Sequence, residues 1–319
     1  MGRVSQLANH FLDAVDMAAI ASANWRGKGD KMAADAAAVE AMRLTFDNVP
    51  FDGRVAIGEG ERDEAPMLYI GEQLGCEIGN PDVAAVDIAV DPLECTNNCA
   101  DNLPNSIAVL AAAPRGTLLH APDCYMDKIA AGPEMEGHIS LDGGVAYNIE
   151  QVASVLDKPV EEVRIIALDR PRHHELFREI KQIGSQLHLL GDGDIAAALW
   201  AARPDGDYDM LLGIGAAPEG VITATAVKAM GGFFEGRLHF MDDSFKERAL
   251  KMLGSDINNL WSADDLCSST DSFFIASGVC SGWIPGVKFD GNKAEVTSKI
   301  IFGDSSETQI ITNEYTLGE

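Results

Sequence analysis

The chain has 319 residues, 46% of them hydrophobic and 23% charged, a composition that supports a folded core and excludes a mostly disordered polypeptide. Fifty acidic residues against 24 basic ones give a formal charge of −26, which repels nucleic acid and anionic membranes, so neither is expected as a partner. Divalent cations can invert such a field locally and let an acidic protein hold an anion.

The N-terminal segment is interrupted by Asn9, His10, Asp13 and Asp16, and no run of about 18 apolar residues is present to span a bilayer. Six cysteines lack paired spacing, which points to reduced thiols in a soluble, cytoplasmic protein. Leu7, Phe11, Val15 and Ala18 recur at helical spacing and predict an amphipathic helix over residues 5–24, with Asn9, Asp13 and Asp16 on its polar face. Asp30 is placed to cap a second helix with a buried stripe of Ala36, Val39, Met42 and Phe46. Asp52-Gly53 predicts a turn into a short strand, 55–57, that ends in Glu59 and Glu61.

Further strands are expected at 84–90, 106–113 and near 117–121. From about residue 160 the pattern alternates: strand 163–168, helix from Pro171 to Gly184, strand 187–190, helix from Ile195, strand 210–214, helix from Pro218. Such βαβαβ order predicts an α/β fold with a parallel sheet covered on both faces. The C-terminal segment returns to strand-like composition, with a turn at Asp290-Gly291-Asn292 and a strand at 296–302. A boundary near 145–160 divides the chain into an N-terminal α+β domain, 1–150, and a C-terminal α/β domain, 151–319.

Acids close several apolar segments: Asp91 and Glu94 follow strand 84–90, which itself holds Asp87, Glu59 and Glu61 follow 55–57, and Glu219 follows 210–214. Ligands of α/β sheets gather where strands end. Carboxylates converging there repel one another unless they are protonated or bridged by hard cations. Within Asp91-Pro92-Leu93-Glu94-Cys95-Thr96 the alternative is a strand end with an Asx-type turn and a helix cap. Lys31 and Asp35 lie four apart on one helix face, which alone describes a surface ion pair.

Arg170, Arg172, His173 and His174 make a basic spot in an acidic chain, suited to phosphate or to a strand-to-helix turn started by Pro171. Asp192 and Asp194 could cap the following helix or accept sugar hydroxyls. A dinucleotide fingerprint fails at Pro218, Cys95 and Cys99 lack a second ligand pair for zinc, and no G-x-S-x-G elbow exists.

Taken in order, GKGDKMAAD (27–35), IGEGERDEAPMLYIGE (57–72), DIAVDPLE (87–94), APRGTLLHAPDCYMDKIAAGP (113–133), DRPRHHE (169–175), GDGD (191–194) and GIGAAPEGV (213–221) resemble the class II fructose-1,6-bisphosphatases, of the lithium-sensitive sugar and inositol phosphatase superfamily. The resemblance implies an α-β-α-β-α layered sugar-phosphatase fold, dependence on Mg²⁺ or Mn²⁺, hydrolysis of the 1-phosphate of fructose 1,6-bisphosphate in gluconeogenesis, and a homo-oligomer, dimer or tetramer. It implies metal ligands at Asp35, Glu59, Asp91, Glu94 and Glu219, with Lys31 and Thr96 beside the reacting phosphate. Tyr125, Arg170, Arg172, His173, Asp192 and Asp194 would hold the sugar phosphate.

Glu61 is our addition, a carboxylate that could help Thr96 orient a water, and Asp87 is read as standing behind the ligands. Sedoheptulose 1,7-bisphosphate or an inositol phosphate is the alternative substrate, and a catalytically weakened sugar-phosphate-binding protein the alternative class. That last reading rests on departures from the family pattern: Cys95 for glycine before Thr96, Asp101 where lysine is frequent, and Asn102-Leu103 where glycines are usual. A residue without glycine's freedom there would disturb a φ > 0 backbone or its approach to an anion.

Overall fold

The computed structural model describes residues 3–60, 67–204 and 206–318. They form two units, one built from the chain before residue 120 and after residue 268, the other from the segment between. The first unit begins with α1 (Ala8–Ala23), α2 (Lys31–Phe46), β1 (Asp52–Ile57), β2 (Gln73–Leu74), β3 (Ala85–Glu94), α3 (Thr96–Asp101) and β4 (Ile107–Pro114). The second contains β5 (Tyr125–Ala131), α4 (Gly144–Val155), β6 (Arg164–Leu168), α5 (His174–Ile183), β7 (Gln186–Leu190), α6 (Asp194–Ala201), β8 (Met210–Ala216), α7 (Ala217–Ala229), β9 (Phe233–His239), α8 (Asp243–Leu253), β10 (Trp261–Ser262) and α9 (Ala263–Leu266). The chain then returns to the first unit with β11 (Phe273–Gly278), β12 (Lys288–Asp290), β13 (Lys293–Phe302) and β14 (Thr308–Thr316). The fold class is mixed α/β, as the sequence reading has it.

The division at 1–150 and 151–319 is corrected. β11 pairs antiparallel with β4, so the C-terminal strands complete the first sheet, and β5 lies between β8 and β9 in the second. A strand's sheet is decided by such distant pairings, which leave no composition shift at the crossing points.

The first sheet has eight strands in the order β12-β13-β11-β4-β3-β1-β2, with β14 also paired to β13. β1 and β3 run parallel and their neighbours antiparallel. α1 and α2 pack on this sheet through a core in which the Phe11 ring meets Phe46, Phe51 and Phe273 edge-on, at centroid distances of 5.3, 4.8 and 5.4 Å. Such contacts add about 0.5–1.5 kcal/mol per pair beyond the buried area.

The Asp30 cap is as expected, its side chain accepting from Ala33 N at 3.0 Å. The α2 stripe differs by one step, since Ala34 and Ala38 are buried while Ala36 is exposed. On α1, Asn9 and Asp13 face solvent, but Asp16 is buried and accepts from Ser277 Oγ, Ser298 Oγ, Tyr315 OH and Asn313 Nδ2 at 2.6, 2.5, 2.7 and 3.1 Å. Asp52 and Gly53 belong to β1 rather than to a turn, and residues 117–121 form no strand.

The second sheet has the order β10-β9-β5-β8-β6-β7. β6 is parallel to β7 and β8, as the βαβαβ pattern predicts, whereas β5 is antiparallel to β8 and β9, so the sheet is mixed. Ile129 and Ala131 of β5 join the core that holds α4 and α5. Met126 and Lys128, on the opposite face by strand alternation, meet α6 and the start of α7.

Candidate active site

Because β1 and β3 are parallel, their C-terminal ends lie together. Glu59 follows β1 by two residues, and Asp91 and Glu94 stand at the end of β3, where the ladder to β4 shifts register between them. Pro92 cannot donate to that ladder. Asp91 Oδ1 accepts from Leu93 N at 3.1 Å, an Asx turn, and carboxylate oxygens of Asp91 and Glu94 come within 4.8 Å of each other. The turn and the carboxylate arm are therefore one structure rather than alternatives.

Asp35, one turn into α2, completes the corner. Burial, then the negative charges of Asp35 and Asp91, push the Glu59 carboxyl up to about 8, and burial raises Asp35 as well. Carboxylates held together in a partly desolvated place with like charges for neighbours are the donor set of a hard divalent cation such as Mg²⁺ or Mn²⁺. The residues present fit such an ion.

The loop before α2 and helix α3 are held together by backbone hydrogen bonds. Gly27 N and Gly29 N, both glycines in the left-handed region at φ +70 and +72, donate to Cys99 O and Ala100 O at 3.0 and 2.9 Å, so the loop before α2 hangs on α3. Lys31 Nζ consequently lies 3.5 Å from Asn97 Oδ1, next to Thr96 in the first turn of α3. Lys31 and Asp35 are thus no isolated surface ion pair.

Cys95 sits at φ +67, ψ +53, the conformation that glycine takes at no cost, with its side chain buried. Asn102, at φ +53, caps the other end of α3, and asparagine is among the non-glycine residues that tolerate the left-handed region best. The loop keeps the backbone conformation that glycine would supply. Glu61 lies outside the described residues. Asp87 is corrected: it is paired with Arg54 at 2.9 and 2.7 Å and accepts from Gly116 N at 2.7 Å, holding strand ends together.

In the second unit the ends of β6, β7 and β8 carry the other candidates. Arg170 Nη2 pairs with Asp192 Oδ1 at 2.7 Å across the β6 and β7 ends. The Arg172 guanidinium stacks over the Tyr125 ring at 4.9 Å and donates to Ile214 O at 2.8 Å. Burial holds Arg172 below its ordinary range, opposed by nearby Tyr125, Asp194 and Glu219. Glu219 is the third residue of α7, whose first turn also contains Pro218, a residue suited to helix starts.

Two sequence readings change here. His173 is buried, with Nδ1 2.7 Å from Leu168 O and Nε2 2.7 Å from Ile214 N, so both ring nitrogens are taken by backbone and none is left for a sugar phosphate. The neutral ring with its proton on Nδ1 satisfies both contacts. Asp194 is turned into the interior, 4% exposed, with Oδ2 paired at 2.7 Å to Lys128, itself 1% exposed. The sequence reading missed Lys128 because β5 was not recognised, and a single lysine in an apolar run carries no motif.

Comparison with known proteins identifies the family. The family model described as bacterial fructose-1,6-bisphosphatase, glpX-encoded, matches residues 5–315. A protein of Trichodesmium erythraeum (strain IMS101) named D-fructose 1,6-bisphosphatase class 2/sedoheptulose 1,7-bisphosphatase is 40% identical, over 97% of this chain and 96% of its own length. Proteins of the same name from Synechococcus sp. (strain JA-3-3Ab) and Prochlorococcus marinus (strain MIT 9515) are 39% and 41% identical, covering 96% and 92% of this chain and 94% and 92% of theirs.

Proposed function

The chain belongs to the bacterial fructose-1,6-bisphosphatase family, and on that premise we propose that its site hydrolyses the 1-phosphate of fructose 1,6-bisphosphate, a step of gluconeogenesis. The protein is a phosphoric monoester hydrolase. The observation that carries the metal reading is the corner of Asp35, Glu59, Asp91 and Glu94, where burial and then like charge push Glu59 up to about 8. Glu219 is assigned as a further ligand, on the resemblance. Bound there, Mg²⁺ or Mn²⁺ would neutralise phosphate charge and lower the pKa of a water.

The chain's own residues do the rest. Lys31 balances charge on the phosphoryl oxygens, and the Thr96 hydroxyl orients the attacking water in line with the ester oxygen. The new P–O bond forms to that water as the bond to the sugar oxygen breaks, and the sugar leaves as the alcohol with a proton. Tyr125, Arg170 and Arg172 hold the sugar and its remaining phosphate, with Asp192 steadying Arg170.

Retention of the left-handed Cys95 and Asn102 favours an active enzyme over a weakened binding protein. Sedoheptulose 1,7-bisphosphate is a second substrate on this reading, supported by the names of the relatives. A homo-oligomer and a cytoplasmic location belong to the same proposal. Among the described residues no helix is long and apolar enough to cross a membrane. Phosphate release from fructose 1,6-bisphosphate with Mn²⁺ or Mg²⁺, with Glu219→Ala as control, tests it. Loss of release in the variant is expected, and equal release by both proteins refutes the assignment.

A further inference from the structure

The buried pair of Lys128 and Asp194 takes no direct part in this chemistry, yet the chain is shaped around it. Lys128 is central in β5, facing Gly213 on β8 and Gly236 on β9, and Asp194 opens α6. A Cβ on Gly215 would lie 1.8 Å from Asp194 Oδ2 and 3.0 Å from Lys128 Nζ. One on Gly220 would meet Met126 Sδ at 2.6 Å and Lys128 Cε at 3.3 Å. Gly215 is thus required by the space this pair occupies, and Gly220, on the other side of Glu219, by Met126 with the Lys128 stem beside it.

Replacing a buried ion pair by apolar side chains of similar size is frequently neutral or stabilising, so stability alone does not explain keeping it. Its place suggests what it does. Gly215 and Gly220 bracket the β8–α7 junction and the first helical turn that carries Glu219, and Asp194, whose carboxylate reaches Gly215, is the first residue of α6. Ile214, one residue before Gly215, accepts from Arg172 Nε at its carbonyl and donates its N–H to His173 Nε2. The ion pair therefore packs against the strand–helix junction that leads into the first turn of α7, where Glu219 stands.

We propose that Lys128 is a positioning residue which, through Asp194, sets the place of Glu219 for the divalent cation. The proposal rests on Glu219 being a ligand. Residues that orient metal ligands without touching the ion typically change affinity by about 10–100-fold when removed.

The test follows free Mn²⁺ by electron paramagnetic resonance, without substrate, so that a lost sugar contact cannot move the result. Lys128→Met, Asp194→Asn, the double variant Lys128→Met/Asp194→Leu and Glu219→Ala are compared with the native chain, and thermal unfolding is recorded for each. Lys128→Met leaves a buried carboxylate unpaired and is expected to lower Tm as well as Mn²⁺ affinity. The double variant removes that stranded charge, so Tm recovers while Mn²⁺ binding stays about 10-fold weaker. Asp194→Asn keeps the shape, drops the ion pair and is expected to show the same weakening. If the folded variants of the pair bind Mn²⁺ within threefold of the native chain while Glu219→Ala does not, the positioning role is overturned. If Glu219→Ala itself binds Mn²⁺ as the native chain does, the ligand reading fails, and the proposal fails with it.

Discussion

A carboxyl pushed up to about 8 makes metal binding a competition with a proton. With one competing site, the apparent dissociation constant is multiplied by one plus the ratio of proton concentration to acid constant. For Glu59 that factor is about 100 at pH 6 and about 2 at pH 8, so Mn²⁺ should bind about 50-fold more weakly at pH 6, or ~2.3 kcal/mol. Asp35, also raised, acts in the same direction. Titration calorimetry in buffers of different ionisation enthalpy should show close to one proton released per Mn²⁺ at pH 6–7, falling toward half at pH 8. Glu59→Gln should flatten the pH dependence and lose the released proton. An apparent dissociation constant that stays within threefold from pH 6 to 8, with no proton release, refutes the argument. The sign for the metal-free fold is opposite to that of a paired carboxylate. Native Glu59 keeps a proton that the unfolded chain sheds near 4.5, so stability falls as pH rises from about 4.5 to about 8.

Cys95→Gly should leave stability within about 1 kcal/mol, because relief of the left-handed conformation is offset by glycine's greater unfolded-state freedom and the lost buried thiol. Cys95→Val, a β-branched residue at the same φ, should cost more than about 2 kcal/mol in urea unfolding, and equal stability of the two variants would contradict the assigned backbone. Phe11→Ala should cost about 3–5 kcal/mol by the same measurement, since it empties the place where three other phenylalanine rings meet. His173→Phe strands Leu168 O and Ile214 N, so about 2–4 kcal/mol of stability should be lost; a raised KM at unchanged stability would return His173 to the substrate.

Much of the arrangement was legible in the sequence because it is written in local patterns. The Asp30 cap, the strand–helix alternation after residue 160 and the acids that end strands each depend on a few neighbouring residues, and each is present in the structure. The long motifs carried the family, confirmed by comparison over residues 5–315. What tertiary structure decided is where a polar side chain spends its hydrogen bonds. Asp16 belongs to a polar face by spacing, yet three strands from the far end of the chain bury it. His173 and Asp194 have the chemistry of ligand residues, but a backbone N–H 41 positions away and a lysine 66 positions away are their partners. The two-unit division, likewise, turns on β11 returning to β4 across the inserted segment. Periodicity and capping report what neighbours along the chain require, while pairings across a fold arise from distances that no short window of sequence contains.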